Sequence, residues 1–307
     1  MPFSSRLRRT CLAVPATNER ALAKAPSLPA DAVFIDLEDA VAADAKGDQA
    51  RERAAGALTD GEWQGQTLSV RVNGLATRWW RRDVDVVVRG ANGRLASIVL
   101  PKVESTADVE TADRLLGELE EELELEQRIG LEAQIESARG LVEVERIAAC
   151  SARLETLVFG PGDYAASLGI AQRSLGEVDP DYPGDQWHYA RSRIAAAAHA
   201  FGLQPIDGPY AALADEDGLR ESARRARLLG FQGKWVVHPD QIEPVNEEFS
   251  PTSEELAHAL RVLDALRSAD GCGQGAAVLD GLMIDEASRK LAEGVVRRAR
   301  AAGKDVA

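Results

Sequence analysis

The chain has 307 residues, of which 45% are hydrophobic and 28% are charged, and its formal net charge is −14 at pH 7. This composition excludes a disordered chain, and the negative charge argues against nucleic-acid binding because a phosphate backbone would be repelled. No apolar run approaches the roughly 20 residues of a membrane helix, no signal-peptide core is visible at the start, and three distant cysteines favour free thiols, so we expect a cytoplasmic protein.

Eight short apolar runs alternate with helical patterns along the chain, and each run ends at polar or charged residues. Such runs are typical of strands buried in a parallel sheet. We predict strands near 11–14, 32–37, 67–72, 96–101, 129–135, 155–159, 203–206 and 234–237. We predict helices between and after them near 17–25, 44–58, 76–89, 105–126, 137–150, 186–201, 215–229 and 252–268.

Eight strand–helix units predict an α/β fold, the (β/α)8 TIM barrel, whose active site lies at the C-terminal ends of the strands. We expect the barrel to occupy residues 1–250 and a C-terminal helix, hinge and lid to occupy 251–307. The glycine-rich segment 271–275 precedes an apolar segment and a basic helix at 286–302. A glycine-rich hinge before such elements suggests a lid that moves.

The N-terminal segment 1–24 is basic although the whole chain is acidic. It contains five basic residues against one acid, Glu19, and these bases are Arg6, Arg8, Arg9, Arg20 and Lys24. A cationic patch of this kind could hold a small phosphorylated ligand, or it could be an ordinary solvated start.

Charged side chains also stand at the ends of the predicted strands. Arg71 shares one face of strand three with Ser69 and Asn73, because side chains alternate along a strand. Glu136 is the last polar residue on one face of strand five, and Asp163 follows strand six in a Gly-Pro-Gly-Asp turn. Two carboxylates at one rim repel unless a cation or a proton separates them. Mg²⁺ fits this pattern because it takes hard oxygen ligands and often only one or two carboxylates.

An alternative interpretation needs no metal. Glu136 could pair with Arg139 or Arg71, and Asp163 could cap a helix at Tyr164. Spacing alone leaves these two interpretations equally open.

Lys102 also follows a predicted strand, and a barrel aldolase could use such a lysine for a Schiff base. The neighbouring Glu104 instead favours an ion-paired ammonium, which is not nucleophilic. We therefore expect no covalent lysine chemistry.

Nine segments in order across nearly the whole chain together resemble the citrate lyase β-subunit/malyl-CoA lyase family, which belongs to the HpcH/HpaI aldolase superfamily of metal-dependent lyases. The segments are Arg9–Pro15, Phe34–Val41, Val70–Gly74, Leu100–Glu104, Ile135–Gly140, Phe159–Tyr164, Ile206–Tyr210, Gly233–Pro239 and Asp280–Asp285. The resemblance favours the metal interpretation.

The resemblance implies a role for each rim residue. Glu136 and Asp163 would bind Mg²⁺, with Mn²⁺ as an alternative, and Arg71 would contact the acyl and carboxylate oxygens of the substrate. Glu38 and Asp39 would hold water molecules bound to the metal.

Further roles follow from the same resemblance. Arg20 and Lys24 would face the phosphates of coenzyme A. Asp280 would be a lid acid that reaches the active site of a neighbouring subunit, which implies a homotrimer or hexamer. Asp280 could instead cap the helix that begins near Asp285. Ser137 stands where Thr is commoner in the family, which should matter little.

The resemblance implies cleavage of a 3-hydroxy-3-carboxyacyl-CoA, such as malyl-CoA, methylmalyl-CoA or citramalyl-CoA, into an acyl-CoA and a 2-oxo acid. The alternatives are a citryl-type lyase subunit, a 2-oxo acid aldolase that uses no coenzyme A, a malyl-CoA thioesterase, and a non-catalytic regulator that binds CoA esters. These substrates differ by small groups, and a pocket discriminates a methylene by only about 1–3 kcal/mol.

Overall fold

The structure is a computed structural model that describes residues 6–171 and 174–306. Eight parallel strands close into a barrel in sequence order. They are β1 (Thr10–Pro15), β2 (Ala32–Asp36), β3 (Thr67–Arg71), β4 (Ser97–Leu100), β5 (Gly130–Ile135), β6 (Leu154–Phe159), β7 (Gln204–Asp207) and β8 (Gly233–Val236). The predicted barrel is confirmed, and each strand begins and ends within one residue of its prediction.

Helices follow the strands along the chain. They are α1 (Glu19–Lys24), α2 (Asp48–Asp60), α3 (Trp80–Gly90), α4 (Thr106–Glu122), α5 (Ala138–Val142), α6 (Val144–Ala149), α7 (Pro161–Leu168), α8 (His188–Ala200), α9 (Glu216–Leu228), α10 (Ile242–Phe249), α11 (Ser253–Gly271) and α12 (Glu286–Ala301). In the described ranges 6–171 and 174–306, no helix is long and apolar enough to cross a membrane.

The helices depart from prediction in three places, one of which is α10, since no helix was predicted at 242–249. The helix predicted at 137–150 is divided at Glu143 into α5 and α6. Helix α7 was not predicted, because a Gly-Pro-Gly sequence is typical of a turn. Pro161 is nevertheless compatible with the helix because it occupies the first turn, where a missing backbone N–H costs no hydrogen bond.

The interior of the barrel is apolar in its middle and charged at its C-terminal end. Phe34, Val99, Val158 and Trp235 belong to one buried cluster. Above Phe34 on the same face of β2 lies Asp36, which pairs in register with Arg71 of β3. Alternation along the strands therefore places charged groups at the rim and apolar groups beneath them.

The chain divides into two compact units, Met1–Asn246 and Glu247–Ala307. The second unit contains α11, α12 and a hairpin of β9 (Ala277–Leu279) and β10 (Leu282–Ile284). Its core is formed by one face of each helix and one hairpin residue, among them Leu266, Ile284 and Val296. The second unit thus has a core of its own.

Candidate active site

Glu136 and Gly160 face each other where β5 and β6 end, because Ile135 and Phe159 are register partners. Glu136 is 3% exposed and accepts a hydrogen bond from the Gln134 side-chain amide and one of 2.7 Å from the Lys102 backbone N–H. A Cβ atom at Gly160 would lie 2.6 Å from Glu136 Oε2. Glycine at 160 is therefore what allows the next loop to approach this carboxylate.

Asp163 lies one turn beyond Gly160, in the first turn of α7. Gly160 is the N-cap of that helix, so the interpretation of Asp163 as its cap is wrong. The Asp163 side chain is 41% exposed, and its Oδ2 lies 2.9 Å from Lys102 Nζ. The alternative in which Glu136 pairs with Arg139 or Arg71 is also not observed within residues 6–171 and 174–306, since Glu136 accepts from Gln134 and Lys102 instead.

The Lys102 ammonium joins three acidic side chains from two further loops. Lys102 Nζ lies 2.6 Å from Glu38 Oε1 and 3.7 Å from Asp39 Oδ1, in addition to its contact with Asp163. Burial pulls the Lys102 pKa down, but the contacts with Glu38 and Asp163 outweigh it and raise the pKa above its ordinary value. The ammonium therefore stays protonated, and a protonated amine is not nucleophilic. The expectation that Lys102 pairs with Glu104 is wrong, because its ammonium contacts Glu38, Asp39 and Asp163 instead.

Arg71 is held in place by a bidentate ion pair. Its Nε and Nη2 donate to the two carboxylate oxygens of Asp36 at 2.8 and 2.6 Å, and its Nη1 lies 3.2 Å from Glu38 Oε2. The guanidinium also packs near the rings of Phe34 and Trp235, at 5.9 and 5.4 Å from their centroids. The structure thus brings Arg71 to the rim beside Glu38, with one edge fixed by Asp36.

The electrostatics of the rim favour a cation. The pKa of Glu136 is raised to about 8, mainly by burial. The negative charge of the neighbouring Asp163 also raises this pKa, whereas the positive charge of Lys102 lowers it. Burial also raises the pKa of Glu38. A carboxyl group with a raised pKa is stabilised in its charged form by added positive charge.

The Glu136 carboxyl gives the protein without bound metal a pH-dependent stability. A carboxyl whose folded-state pKa is raised contributes stability that is present below its unfolded-state pKa and is lost as the pH rises through the folded value. In EDTA, we expect the melting temperature to fall between pH 5 and pH 9, and to fall less in Glu136→Gln. Thermal melts across this range test it, and identical profiles for the two proteins would contradict the buried titration.

The donor set fits a small, hard divalent cation. Glu136 and Asp163 would supply oxygen ligands from adjacent loops, and Gly160 leaves room beside Glu136. Within residues 6–171 and 174–306, no group of three or more His, Cys, Asp or Glu side chains could hold a metal. A site with two carboxylates suits Mg²⁺, which keeps several water or substrate ligands.

The predicted N-terminal patch does not form one surface. Arg8 is buried and pairs with Glu155, and Arg9 pairs with Asp31 at 2.7 Å. Arg6 also pairs with Glu155. These three arginines precede β1 and therefore lie at the N-terminal end of the barrel, so their assignment to a ligand-binding patch was wrong.

Arg20 and Lys24 stand apart from those arginines. Both lie exposed on α1, which follows the C-terminal end of β1. Of the predicted patch, they alone are on the side of the barrel where the acidic rim lies.

Asp280 belongs to the second unit, where it forms the turn of the β9–β10 hairpin. Asp280 and Gly281 both have positive φ, 52° and 79°, as a two-residue Asp-Gly hairpin turn requires. The Asp280 carboxylate lies 3.0 Å from Arg261 Nη2. The interpretation of Asp280 as a helix cap is wrong, because Asp285 caps α12 through the backbone N–H groups of Ala287 and Ser288.

Three features of the rim were not predicted as parts of the site. Asp36 fixes the orientation of Arg71. It lies on the same face of β2 as Phe34, and this alternation would have indicated that Asp36 points to the rim. Gln134 donates a hydrogen bond to Glu136. Its position two residues before Glu136, on the same face of the strand, could have indicated this contact. Ser137 caps α5 by accepting from the Gly140 backbone N–H at 3.0 Å, a contact that a threonine hydroxyl could also make.

The chain is similar in sequence to two curated enzymes over most of its length. The chain is 38% identical to an L-malyl-CoA/β-methylmalyl-CoA lyase from Rhodobacter capsulatus over 310 residues, covering 98% of this chain and 97% of that protein. It is 38% identical over 277 residues to a (3S)-malyl-CoA thioesterase from Cereibacter sphaeroides, covering 90% and 89% of the two chains.

A solved structure is also similar over nearly its whole length. The protein CitE from Mycobacterium tuberculosis, crystallised with magnesium, acetoacetate and coenzyme A, superposes with a TM-score of 0.76 at 33% identity, covering 96% of this chain and 98% of that one. Residues 9–239 match the family described as HpcH/HpaI aldolase/citrate lyase. The chain belongs to the HpcH/HpaI aldolase/citrate lyase family.

Proposed function

We propose that this protein is a Mg²⁺-dependent carbon–carbon lyase that cleaves a 3-hydroxy-3-carboxyacyl-CoA into an acyl-CoA and a 2-oxo acid. The observation that carries the proposal is that Glu136 and Asp163 both contact Lys102 at the barrel rim, Glu136 through the Lys102 backbone N–H and Asp163 through the Lys102 ammonium. The similarity to a malyl-CoA/methylmalyl-CoA lyase supports malyl-type substrates.

Glu136 and Asp163 would hold the metal, and Mn²⁺ has the same ligand preferences. When bound, the metal supplies a Lewis acid for the oxygen that becomes the carbonyl of the 2-oxo acid. In the reaction the substrate hydroxyl loses its proton, the bond between C2 and C3 breaks, and its electron pair passes to the thioester as an enolate. Protonation of the enolate carbon gives the acyl-CoA.

Arg71 would stabilise the negative charge that develops on the thioester oxygen. Its guanidinium is fixed by Asp36 before substrate arrives, so little reorganisation is needed as charge develops. Glu38 and Asp39 would orient water molecules on the metal. Arg20 and Lys24 would face the coenzyme A phosphates, which is supported by their exposure on α1.

Asp280 would deliver the proton to the enolate from a neighbouring subunit of a homotrimer or hexamer. The support is the surface of its hairpin, where Val278, Leu282 and Met283 are about 70% exposed. Exposed apolar side chains grouped on one element are typical of a surface that meets another protein.

The free state of the described cysteines agrees with a cytoplasmic protein.

Replacing Asp280 by Asn tests this role. Asn fits the same hairpin turn, but its amide is too weak an acid to protonate an enolate, so we expect turnover to fall by about 10²–10⁴-fold with an unchanged oligomeric state. The matched control is Asp264→Asn, which alters another exposed acid of the second unit that is paired with an arginine. Light scattering gives the oligomeric state, and full turnover in Asp280→Asn would overturn the assignment.

Thioester hydrolysis is the second candidate function, because a (3S)-malyl-CoA thioesterase is equally similar in percentage identity. The products distinguish the two reactions. With malyl-CoA as substrate, a lyase releases glyoxylate and acetyl-CoA, whereas a thioesterase releases malate and free coenzyme A. Glyoxylate formed without free thiol supports the lyase, and free thiol formed without glyoxylate would favour hydrolysis.

A further inference from the structure

Lys102 has an unusual backbone conformation at the centre of the acidic rim. Its φ is 53°, in the left-handed region that side chains other than glycine rarely adopt. Such strain persists only where the surroundings hold it, and it concentrates at functional sites. The strained residue here sits two positions after the end of β4.

The strained conformation lets the two ends of Lys102 serve different carboxylates. The backbone N–H donates to Glu136 Oε1 at 2.7 Å. The ammonium reaches across the rim, 2.6 Å from Glu38 Oε1 and 2.9 Å from Asp163 Oδ2. One residue therefore contacts both carboxylates assigned to the metal, one through its main chain and the other through its side chain.

We propose that Lys102 sets the metal affinity of the site, by positioning Glu136 through its backbone N–H and by competing with the divalent cation for Asp163 through its ammonium. The inference rests on the proposed function in so far as Glu136 and Asp163 are the metal ligands. Lys102 is a positioning residue in this account, since it acts through these two carboxylates.

The competition follows from charge and distance. Asp163 Oδ2 is already in contact with the ammonium, so a cation that binds this oxygen must displace the ammonium or remain close to it. Both arrangements cost free energy, because like charges a few ångströms apart repel strongly in a partly buried site. Glu38 provides a second partner at which the displaced ammonium can stay.

The sign of the effect separates this role from a merely structural one. If Lys102 only held the carboxylates together, its removal would loosen the site and weaken metal binding. If it competes, removal of its charge tightens metal binding while leaving the backbone N–H to Glu136 in place.

The test is a titration of the full-length protein with MnCl₂, in which electron paramagnetic resonance measures free Mn²⁺. We expect Lys102→Met to bind Mn²⁺ about tenfold more tightly than the wild type, and Lys102→Arg to stay close to the wild type. Lys102→Gly removes the same charge and accepts the positive φ without strain. It should also bind more tightly, even if Lys102→Met folds poorly.

Lys46→Met is the matched control. Lys46 belongs to the loop after β2, and its Nζ donates to Asn73 Oδ1 at 2.7 Å and lies 5.3 Å from the Trp79 ring centroid. Its replacement removes one positive charge from the same region without touching Asp163. We expect its Mn²⁺ affinity to change by less than about threefold.

Equal or weaker Mn²⁺ binding in both Lys102→Met and Lys102→Gly, with the wild type binding normally, would overturn this inference and leave the proposed function intact. The inference would also be overturned, with the proposed function intact, if Lys46→Met tightened Mn²⁺ binding as much as Lys102→Met. Loss of any positive charge in this region would then explain the effect. A wild type that binds no Mn²⁺ would overturn both this inference and the metal-dependent function.

Discussion

Replacing Glu136 by Gln or Asp163 by Asn is expected to abolish carbon–carbon cleavage, with a loss of at least about 10³-fold in kcat. Each change removes one of the two carboxylates that would hold the metal, while nearly preserving the size of the side chain. Steady-state assays with malyl-CoA at saturating MgCl₂ measure the effect, and a Mn²⁺ titration reports whether metal binding is lost as well.

The same variants should remain folded, which distinguishes a catalytic loss from a structural one. Burying the Glu136 carboxylate is costly, as its raised pKa indicates, and the neighbouring Asp163 adds to this cost. Removing one carboxylate should therefore leave the metal-free protein equally stable or slightly more stable. Glu145→Gln is a suitable control, because Glu145 pairs with Arg193 among the outer helices. A Glu136→Gln protein that unfolds, in an enzyme whose wild type needs no metal, would indicate a structural role.

Arg71 gives the second large effect. Arg71→Lys keeps the positive charge but cannot make the bidentate pair with Asp36, so the cation is no longer held in one orientation. We expect kcat to fall by about 10²–10³-fold, which is the usual cost of losing one fixed donor to a developing oxyanion. Rates for malyl-CoA cleavage at saturating substrate provide the measurement, and a fully active Arg71→Lys would refute the role.

Arg71→Met should also destabilise the fold, because it leaves Asp36 buried without its partner. Loss of one member of a buried ion pair costs about 3–5 kcal/mol, which urea denaturation can measure. Asp36 also accepts from the backbone N–H groups of Glu38 and Ala40, so the loop after β2 should shift. Adding Asp36→Asn to Arg71→Met should recover part of the stability and none of the activity. Recovery of both would mean that Arg71 is only structural.

The barrel could be predicted from the sequence because its signals are local. Each strand is a short apolar run that ends at polar residues, and eight such runs separated by helical patterns leave few other folds. Alternation along a strand also places Arg71 and Glu136 on inward faces near the C-terminal end. The acidic rim was therefore predictable as a group of residue types at strand ends.

The partners of these residues could not be predicted in the same way, since they depend on closure of the barrel. Lys102 pairs with Glu38, which is 64 positions away in the sequence, rather than with Glu104, which is two positions away. Which loops meet over the rim is set by the register of all eight strands. No local pattern contains that information.

The basic N-terminal segment shows the opposite error, in which nearness in sequence was mistaken for nearness in space. Strand β1 has six residues, so it separates Arg9 from the loop before Arg20 by roughly 20 Å. Arg8 and Arg9 are at one end of the barrel and neutralise buried or partly buried acids there. Of the five basic residues in that segment, Arg20 and Lys24 are the two that follow the C-terminal end of β1.

The metal dependence of malyl-CoA cleavage tests the central claim most directly. Purified protein is treated with EDTA, and the release of glyoxylate from malyl-CoA is followed before and after MgCl₂ is added in excess. The account predicts a rate at background in EDTA and full recovery with Mg²⁺. Equal rates of glyoxylate release under the two conditions would contradict it.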